Sequence, residues 1–225
     1  KHSVIKRCAV LFLMEKLWYN SEKCVSDSGK DDSGRMRRID REVTDLTEIL
    51  KIIDAAKILG SKVTMGLMRG LGSQTTMDKD LKELAEAMKP IIEYADKKGV
   101  TICLEAINRY ETALLNSAEA TVEFIDNGLG NPDCVGILWD LFHANIEDIG
   151  YERSIKIMGN KLKHIHLADS NRMFPGYGHT DIAAILKMVK NTGYSEYASF
   201  ECFNLPSLET VLNETGAWVQ KMREL

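Results

Sequence analysis

The sequence lacks a thiolate framework, a bilayer-length apolar run and a cationic excess, and each absence removes a class of protein. Its five cysteines, Cys8, Cys24, Cys103, Cys134 and Cys202, are odd in number and widely spaced, with no CxxC pair. That spacing indicates neither a disulfide scaffold nor a thiolate zinc site, and a reducing, cytoplasmic setting is expected. No apolar run approaches the roughly 18 to 20 residues that span a bilayer. The opening KHSVIKRCAVLFLMEK is interrupted by charge too soon to read as a signal peptide. The formal net charge of -4 gives no general attraction to nucleic acid.

What is present is globular material: 225 residues, 44% hydrophobic and 28% charged, enough to bury a large core in one domain spanning 1–225. From Val63 onward short apolar runs alternate with longer amphipathic ones, the pattern of repeated βα units around a parallel sheet. Expected strands are 62–68, 100–106, 135–140, 162–169 and 197–203, with an earlier one at 7–14. Helical patterns cover roughly 40–59, 77–98, 117–128, 147–160, 180–192 and 207–224. Pro90 is expected to kink its helix rather than end it, because MKPIIEYA keeps helical apolar spacing. Residues 20–38 are polar and aperiodic and read as a surface loop or a lid. Methionines such as Met65, Met68, Met88 and Met188 read as core filling, and Trp139 as packed against helices.

The chemistry gathers at strand ends. VTICLE ends on Glu105, VGILWD on Asp140 and YASFE on Glu201, while KHIHL carries His166 near its end. In a parallel β/α sheet the C-terminal strand ends share one face, so four ligand-type residues arrive together. Side-chain parity sharpens this. If those four face the lumen, so do Cys103, Leu138, His164 and Ser199, whereas Ile102, Leu104, Ile137, Trp139, Ile165, Leu167 and Phe200 face the helices. Carboxylates crowded at one mouth repel one another unless a cation compensates them. A divalent ion would do so, and oxygen and imidazole donors without thiolate suit Mn²⁺, Mg²⁺, Co²⁺, Fe²⁺ or Zn²⁺.

The stretches CLEAINRYET (103–112), LWDLFHAN (138–145), HIHLADSNRMFPGYGHTD (164–181) and SFECF (199–203) resemble the xylose-isomerase-like sugar isomerase and epimerase superfamily. Its members include ketohexose 3-epimerases, inosose dehydratases and hydroxypyruvate isomerase, with endonuclease IV as a relative. The resemblance covers roughly residues 42–225 and implies a TIM-type (β/α) barrel. It also implies one divalent ion, with Mn²⁺ favoured, held by Glu105, Asp140, His166 and Glu201. Glu105 and Glu201 would double as the acid/base pair, with His143 and Arg172 on substrate oxygens and Glu111 in support. From position alone, His143 could equally cap the next helix and Arg172 could pair with Asp169. Only six βα units are legible where the family has eight, so the chain is expected to lack the first two.

The implied activity is isomerisation or epimerisation of a sugar or sugar phosphate by proton transfer through a metal-stabilised enediolate. No further organic cofactor is expected, and a homo-oligomer is left open. Three other readings compete: an inosose-type dehydratase, a sugar-binding module without catalysis, and an abasic-site endonuclease. For the last, His143 and His179 resemble additional ligand positions, but Tyr177 stands where that family would place an Asp.

Overall fold

The computed structural model describes residues 46–224. The expected strand at 7–14, the loop at 20–38 and the first residues of the helix expected at 40–59 lie outside the described residues. From Leu46 onward helices and strands alternate regularly: α1 (Leu46–Leu59), β1 (Val63–Met65), α2 (Met77–Lys98), β2 (Ile102–Glu105), α3 (Ala118–Glu123), β3 (Val135–Asp140), α4 (Leu141–Glu147), α5 (Tyr151–Met158), β4 (Leu162–Leu167), α6 (Ile182–Asn191), β5 (Tyr197–Phe200) and α7 (Leu208–Arg223). Among the described residues all five strands are parallel and pair in chain order. That topology, with neighbouring strands joined through helices and no crossing over, is the arc of a β/α barrel.

The sheet is rolled. A flat sheet would hold its first and fifth strands about 19 Å apart, beyond the reach of a single lysine. Lys62, at the foot of β1, nevertheless donates to the Lys163 carbonyl on β4 at 2.5 Å and to the Glu196 carboxylate just before β5 at 2.9 Å.

The two faces of the strands carry different material. Ile102, Leu104, Ile137, Trp139, Ile165 and Leu167 all belong to the apolar core between sheet and helices, with Phe200 packed against it. The alternate residues Cys103, Leu138 and His164 are buried too, but outside that core. Helices α1 to α6 present buried apolar residues to the same layer; in α2 the buried residues Leu84, Met88, Ile91 and Ala95 recur at helical spacing. This helix runs through Pro90 and stops at Gly99, whose left-handed φ of 63° lets its N–H bond back to the Ala95 and Asp96 carbonyls. Met65 and Met88 are fully buried, and Met68 and Met188 pack against the core.

Several boundaries depart from expectation for local reasons. The strand expected at 62–68 ends at Met65, and a 3₁₀ turn over Leu67–Arg69 follows Gly66. The strand expected at 197–203 ends at Phe200; the Glu201 N–H still reaches the Leu167 carbonyl, but the Phe203 N–H turns to the Arg172 carbonyl. The pattern at 117–128 splits into α3 and a wide π turn over Phe124–Gly128. The helix expected at 147–160 is the shorter α5, and an unexpected helix precedes it, because the Asp140 carboxylate accepts from the Phe142 and His143 N–H groups and starts α4 directly at the strand end. No helix among the described residues is long and apolar enough to cross a membrane.

Candidate active site

Glu105 closes β2, Asp140 closes β3, His166 is the penultimate residue of β4 and Glu201 directly follows β5. The register aligns them, with Asp140 opposite His166 and His166 opposite Ser199. One ligand atom from each of the four lies within 4.8 Å of all the others. His166 Nδ1 is the hub, 2.7 Å from Glu201 Oε2, 3.6 Å from Glu105 Oε1 and 3.7 Å from Asp140 Oδ2. Glu105, Asp140 and His166 are buried, and Glu201 is partly open to the mouth.

Such crowding has electrostatic consequences. Burial opposes a charge on His166, but Glu201, Asp140 and Glu105 outweigh it and hold its pKa well above the imidazole range. Burial would likewise raise the Glu201 carboxyl, yet the charge and hydrogen bond of His166 bring it down to about 2. Asp140 divides its two oxygens between fold and site. Oδ1 caps α4 by accepting from Phe142 N at 2.8 Å, and Oδ2 faces the cluster. Three carboxylates and one imidazole at this spacing, with no thiolate, fit a divalent cation.

Arg172 reaches the cluster from the loop after β4. Its guanidinium donates to Asp140 Oδ2 at 2.8 Å and to Glu201 Oε2 at 2.6 Å, and it lies over the Phe142 ring at 4.9 Å. Those carboxylates, not Asp169, are its side-chain partners. The Arg172 backbone is left-handed, with φ of 62°, a conformation unfavourable for a residue bearing a Cβ. It is pinned on both sides, its N–H to the Asp169 carbonyl at 2.9 Å and its carbonyl to the Phe203 N–H at 2.7 Å. Asp169 organises the rest of this loop. Fully buried, its carboxylate accepts from the backbone N–H groups of Ser170, Gly176 and Thr180 at 2.7 to 2.9 Å.

His143 sits in the first turn of α4, buried, with Nε2 3.5 Å from Arg172 Nη1. It does not cap the helix; Asp140 does. Glu111, largely exposed, accepts from Asn108 Nδ2 at 3.0 Å and lies 3.9 Å from His143 Nδ1, so it stands behind His143 rather than among the four. His179 is exposed and outside the cluster, its N–H bonded to Ser170 Oγ, and the Tyr177 hydroxyl donates to Glu214.

Sequence reasoning missed two supporting residues, Asn108 and Arg69, and placed a third, His164, on the lumen face without giving it a role. Asn108 is buried between Glu111 and His143. Arg69, buried after β1, donates to the carbonyls of Met65, Gly66 and Leu114. Burial lowers its pKa to about 10 while Glu105 opposes that shift, so it stays cationic beside the cluster. His164, one rung below His166, bonds Ser199 Oγ through Nε2 at 2.8 Å, and burial lowers its pKa to about 3, which keeps it neutral. One signal was available. Gly66 interrupts an apolar strand pattern, and a Cβ there would sit 2.8 Å from Glu105 Oε2, so the backbone approaches the carboxylate closely.

A rolled parallel sheet with helices on its outer face and a carboxylate and imidazole cluster at its strand ends defines a β/α-barrel protein whose mouth carries a ligand set that fits a divalent cation. The chain belongs to the xylose isomerase-like TIM barrel family, whose sequence model matches residues 34–223. It is 34% identical to an L-ribulose 3-epimerase of Mesorhizobium japonicum over 71% of this chain and 54% of that protein. It is 30% identical to a D-psicose 3-epimerase of Enterocloster bolteae over 68% of this chain and 48% of that protein. Among solved structures, a D-psicose 3-epimerase with D-tagatose from Clostridium cellulolyticum H10 superposes with a TM-score of 0.62 at 25% identity, over 70% of this chain and 56% of that one. The chain thus spans about half the length of the curated relatives it matches.

Proposed function

We propose that this chain, as a single β/α-barrel domain over 1–225, is a divalent-metal-dependent isomerase or epimerase acting on a small sugar in the cytoplasm. The observation that carries the reading is the meeting of Glu105, Asp140, His166 and Glu201 within 4.8 Å, with the donors Arg172 and His143 at its rim. The matched relatives named as ketose 3-epimerases supply the substrate class.

Glu105, Asp140, His166 and Glu201 would hold the ion, with Mn²⁺ favoured. When bound, it would supply positive charge where negative charge develops on substrate oxygens. The chain's own residues would move the proton. β2 and β5 stand three strands apart, about 135° around an eight-stranded ring, so Glu105 and Glu201 address a substrate from different sides. One carboxylate removes the proton beside the carbonyl. The other, protonated beforehand, delivers its own proton to the opposite face, inverting the carbon, or to the neighbouring carbon, shifting the carbonyl. Arg172 would hold Glu201 in place through its 2.6 Å hydrogen bond, and His143 and Arg172 would bind substrate oxygens. Because Asp169 already takes the amides of Ser170, Gly176 and Thr180, the loop has no free cradle for a phosphate there, which favours a free sugar over a sugar phosphate.

The test is to load the protein with Mn²⁺, incubate it in deuterated water with a panel of ketoses and their phosphates, and follow deuterium entry by NMR. Exchange at a carbon next to the carbonyl is expected with a free ketose. Stoichiometric metal with no exchange from any candidate would overturn the reading.

A further inference from the structure

Asn108 is 2% exposed, and all of its side-chain hydrogen-bonding groups are engaged. Its Oδ1 accepts from the Tyr110 N–H at 2.9 Å, and its Nδ2 lies 3.0 Å from Glu111 Oε1 and 2.7 Å from His143 Nδ1. These partners allow one orientation of the amide. Turning it over would set the NH₂ against a backbone N–H and the carbonyl oxygen against a carboxylate, replacing two hydrogen bonds with two repulsive contacts. With one Nδ2 proton given to Glu111, the other points at His143 Nδ1. That nitrogen then accepts, which in the neutral ring puts the proton on Nε2.

We propose that Asn108 is a positioning residue that fixes His143 as the Nε2–H tautomer and so presents a hydrogen-bond donor to the mouth. The competing contact is weak. Arg172 Nη1 lies 3.5 Å from His143 Nε2, at the outer edge of hydrogen-bonding range, whereas Asn108 Nδ2 stands 2.7 Å from Nδ1, so the shorter contact sets the tautomer. The segment bearing Asn108 is held in place as well. The neighbouring Arg109 clamps Glu147 on α4, with its backbone N–H and Nε on Oε1 at 2.6 and 2.9 Å and Nη2 on Oε2 at 2.8 Å. Loop and helix are thereby tied to each other beside the 2.7 Å contact between amide and imidazole.

The tautomer has a consequence for ligands, and this step rests on the sugar reading above. A ring N–H and a guanidinium 3.5 Å apart at the rim present two neighbouring donors to the mouth. A carbonyl or hydroxyl oxygen satisfies both; an ammonium group or an amide N–H satisfies neither.

The experiment uses protein labelled with ¹⁵N at histidine, both metal-free and loaded with diamagnetic Mg²⁺. Long-range ¹H–¹⁵N correlations identify which ring nitrogen carries the proton, and His143→Gln assigns the signal among the five histidines. In the wild-type chain Nε2 is protonated and Nδ1 is not. In Asn108→Asp the donor becomes an acceptor, Nδ1 acquires the proton, and kcat/KM on whichever ketose is turned over falls by about tenfold or more. Asn108→Leu removes both options and gives a mixture of tautomers. A wild-type His143 protonated on Nδ1 overturns the proposal even if neither Asn108 variant folds. So does Asn108→Asp with Nδ1 still bare. The predicted tautomer in a protein inert towards every ketose would uphold the role of Asn108 and count against the sugar reading alone.

Discussion

The helix-facing and lumen-facing sides of the five strands differ by a single residue step and follow different physics. On the outer side Ile102, Leu104, Ile137, Trp139, Ile165 and Leu167 are buried among aliphatic neighbours, where volume and shape are what matter. On the inner side Glu105, Asp140, His166 and Glu201 are within hydrogen-bonding or ion-pairing reach of one another or of Arg172, and charge balance is what matters. A strand one residue out of register would exchange the two sets, so the partition itself fixes the register. Stability should therefore reside mainly outside and activity inside.

The sharpest way to break that division is Glu201→Gln, which keeps the shape and removes a lumen charge. Turnover is expected to fall by about 10²- to 10⁴-fold, the usual range for a lost acid or base. Metal affinity should weaken with it, because an anionic ligand is gone. The unfolding midpoint should move far less. Isothermal titration with Mn²⁺ and single-turnover exchange in deuterated water read the two losses separately. Unchanged metal affinity together with unchanged proton exchange would remove Glu201 from the site.

Trp139→Ala probes the other side, one residue from a ligand. The indole is fully buried, donates to Asp148 Oδ2 at 2.9 Å and meets the Tyr151 ring edge-on at 6.0 Å. Its loss leaves a cavity and strips Asp148 of a donor, so urea unfolding should show a destabilisation of about 3 to 5 kcal/mol. The folded fraction should still bind one metal ion per chain. A large loss of stoichiometry in folded protein would mean that the two faces are coupled rather than separate.

The same contrast explains how much was legible beforehand. Strand order, the outer core and the inward parity of Glu105, Asp140, His166 and Glu201 depend on alternation along short segments, which a sequence displays directly. Asn108 and Arg69 were not legible, because each acts through partners brought near by the rolling of the sheet and the path of a loop: His143 is 35 positions from Asn108, and Leu114 is 45 positions from Arg69. The short helix α4 was hidden for a related reason. Asp140 reads as a ligand at a strand end, and nothing local reveals that its other oxygen caps a helix beginning at the next residue.

Asp169 provides the smallest and most discriminating test, because it is a carboxylate near the mouth that is satisfied without any cation. Burial would raise its pKa, but the N–H groups of Thr180, Gly176, Ser170 and Gly178 outweigh that and lower it below the ordinary aspartate value. A carboxyl whose folded pKa lies below its unfolded one, about 3.9, contributes stability that is fully present above the unfolded value. That stability is lost as pH falls through the folded value. Hydrogen exchange at Gly176 and Thr180 should therefore be insensitive to metal between pH 5 and 8 once corrected for intrinsic rates, and should lose protection on acidification below about 4. Asp169→Asn should flatten that acid dependence and loosen the loop at neutral pH by about 1 to 2 kcal/mol, since a neutral amide oxygen accepts more weakly than a carboxylate. Because the same loop holds Arg172 in its left-handed conformation, the variant should also weaken the hold of Arg172 on Glu201 while leaving the outer core intact. Equal protection in both proteins at neutral pH would show that the loop is held by something other than this carboxylate.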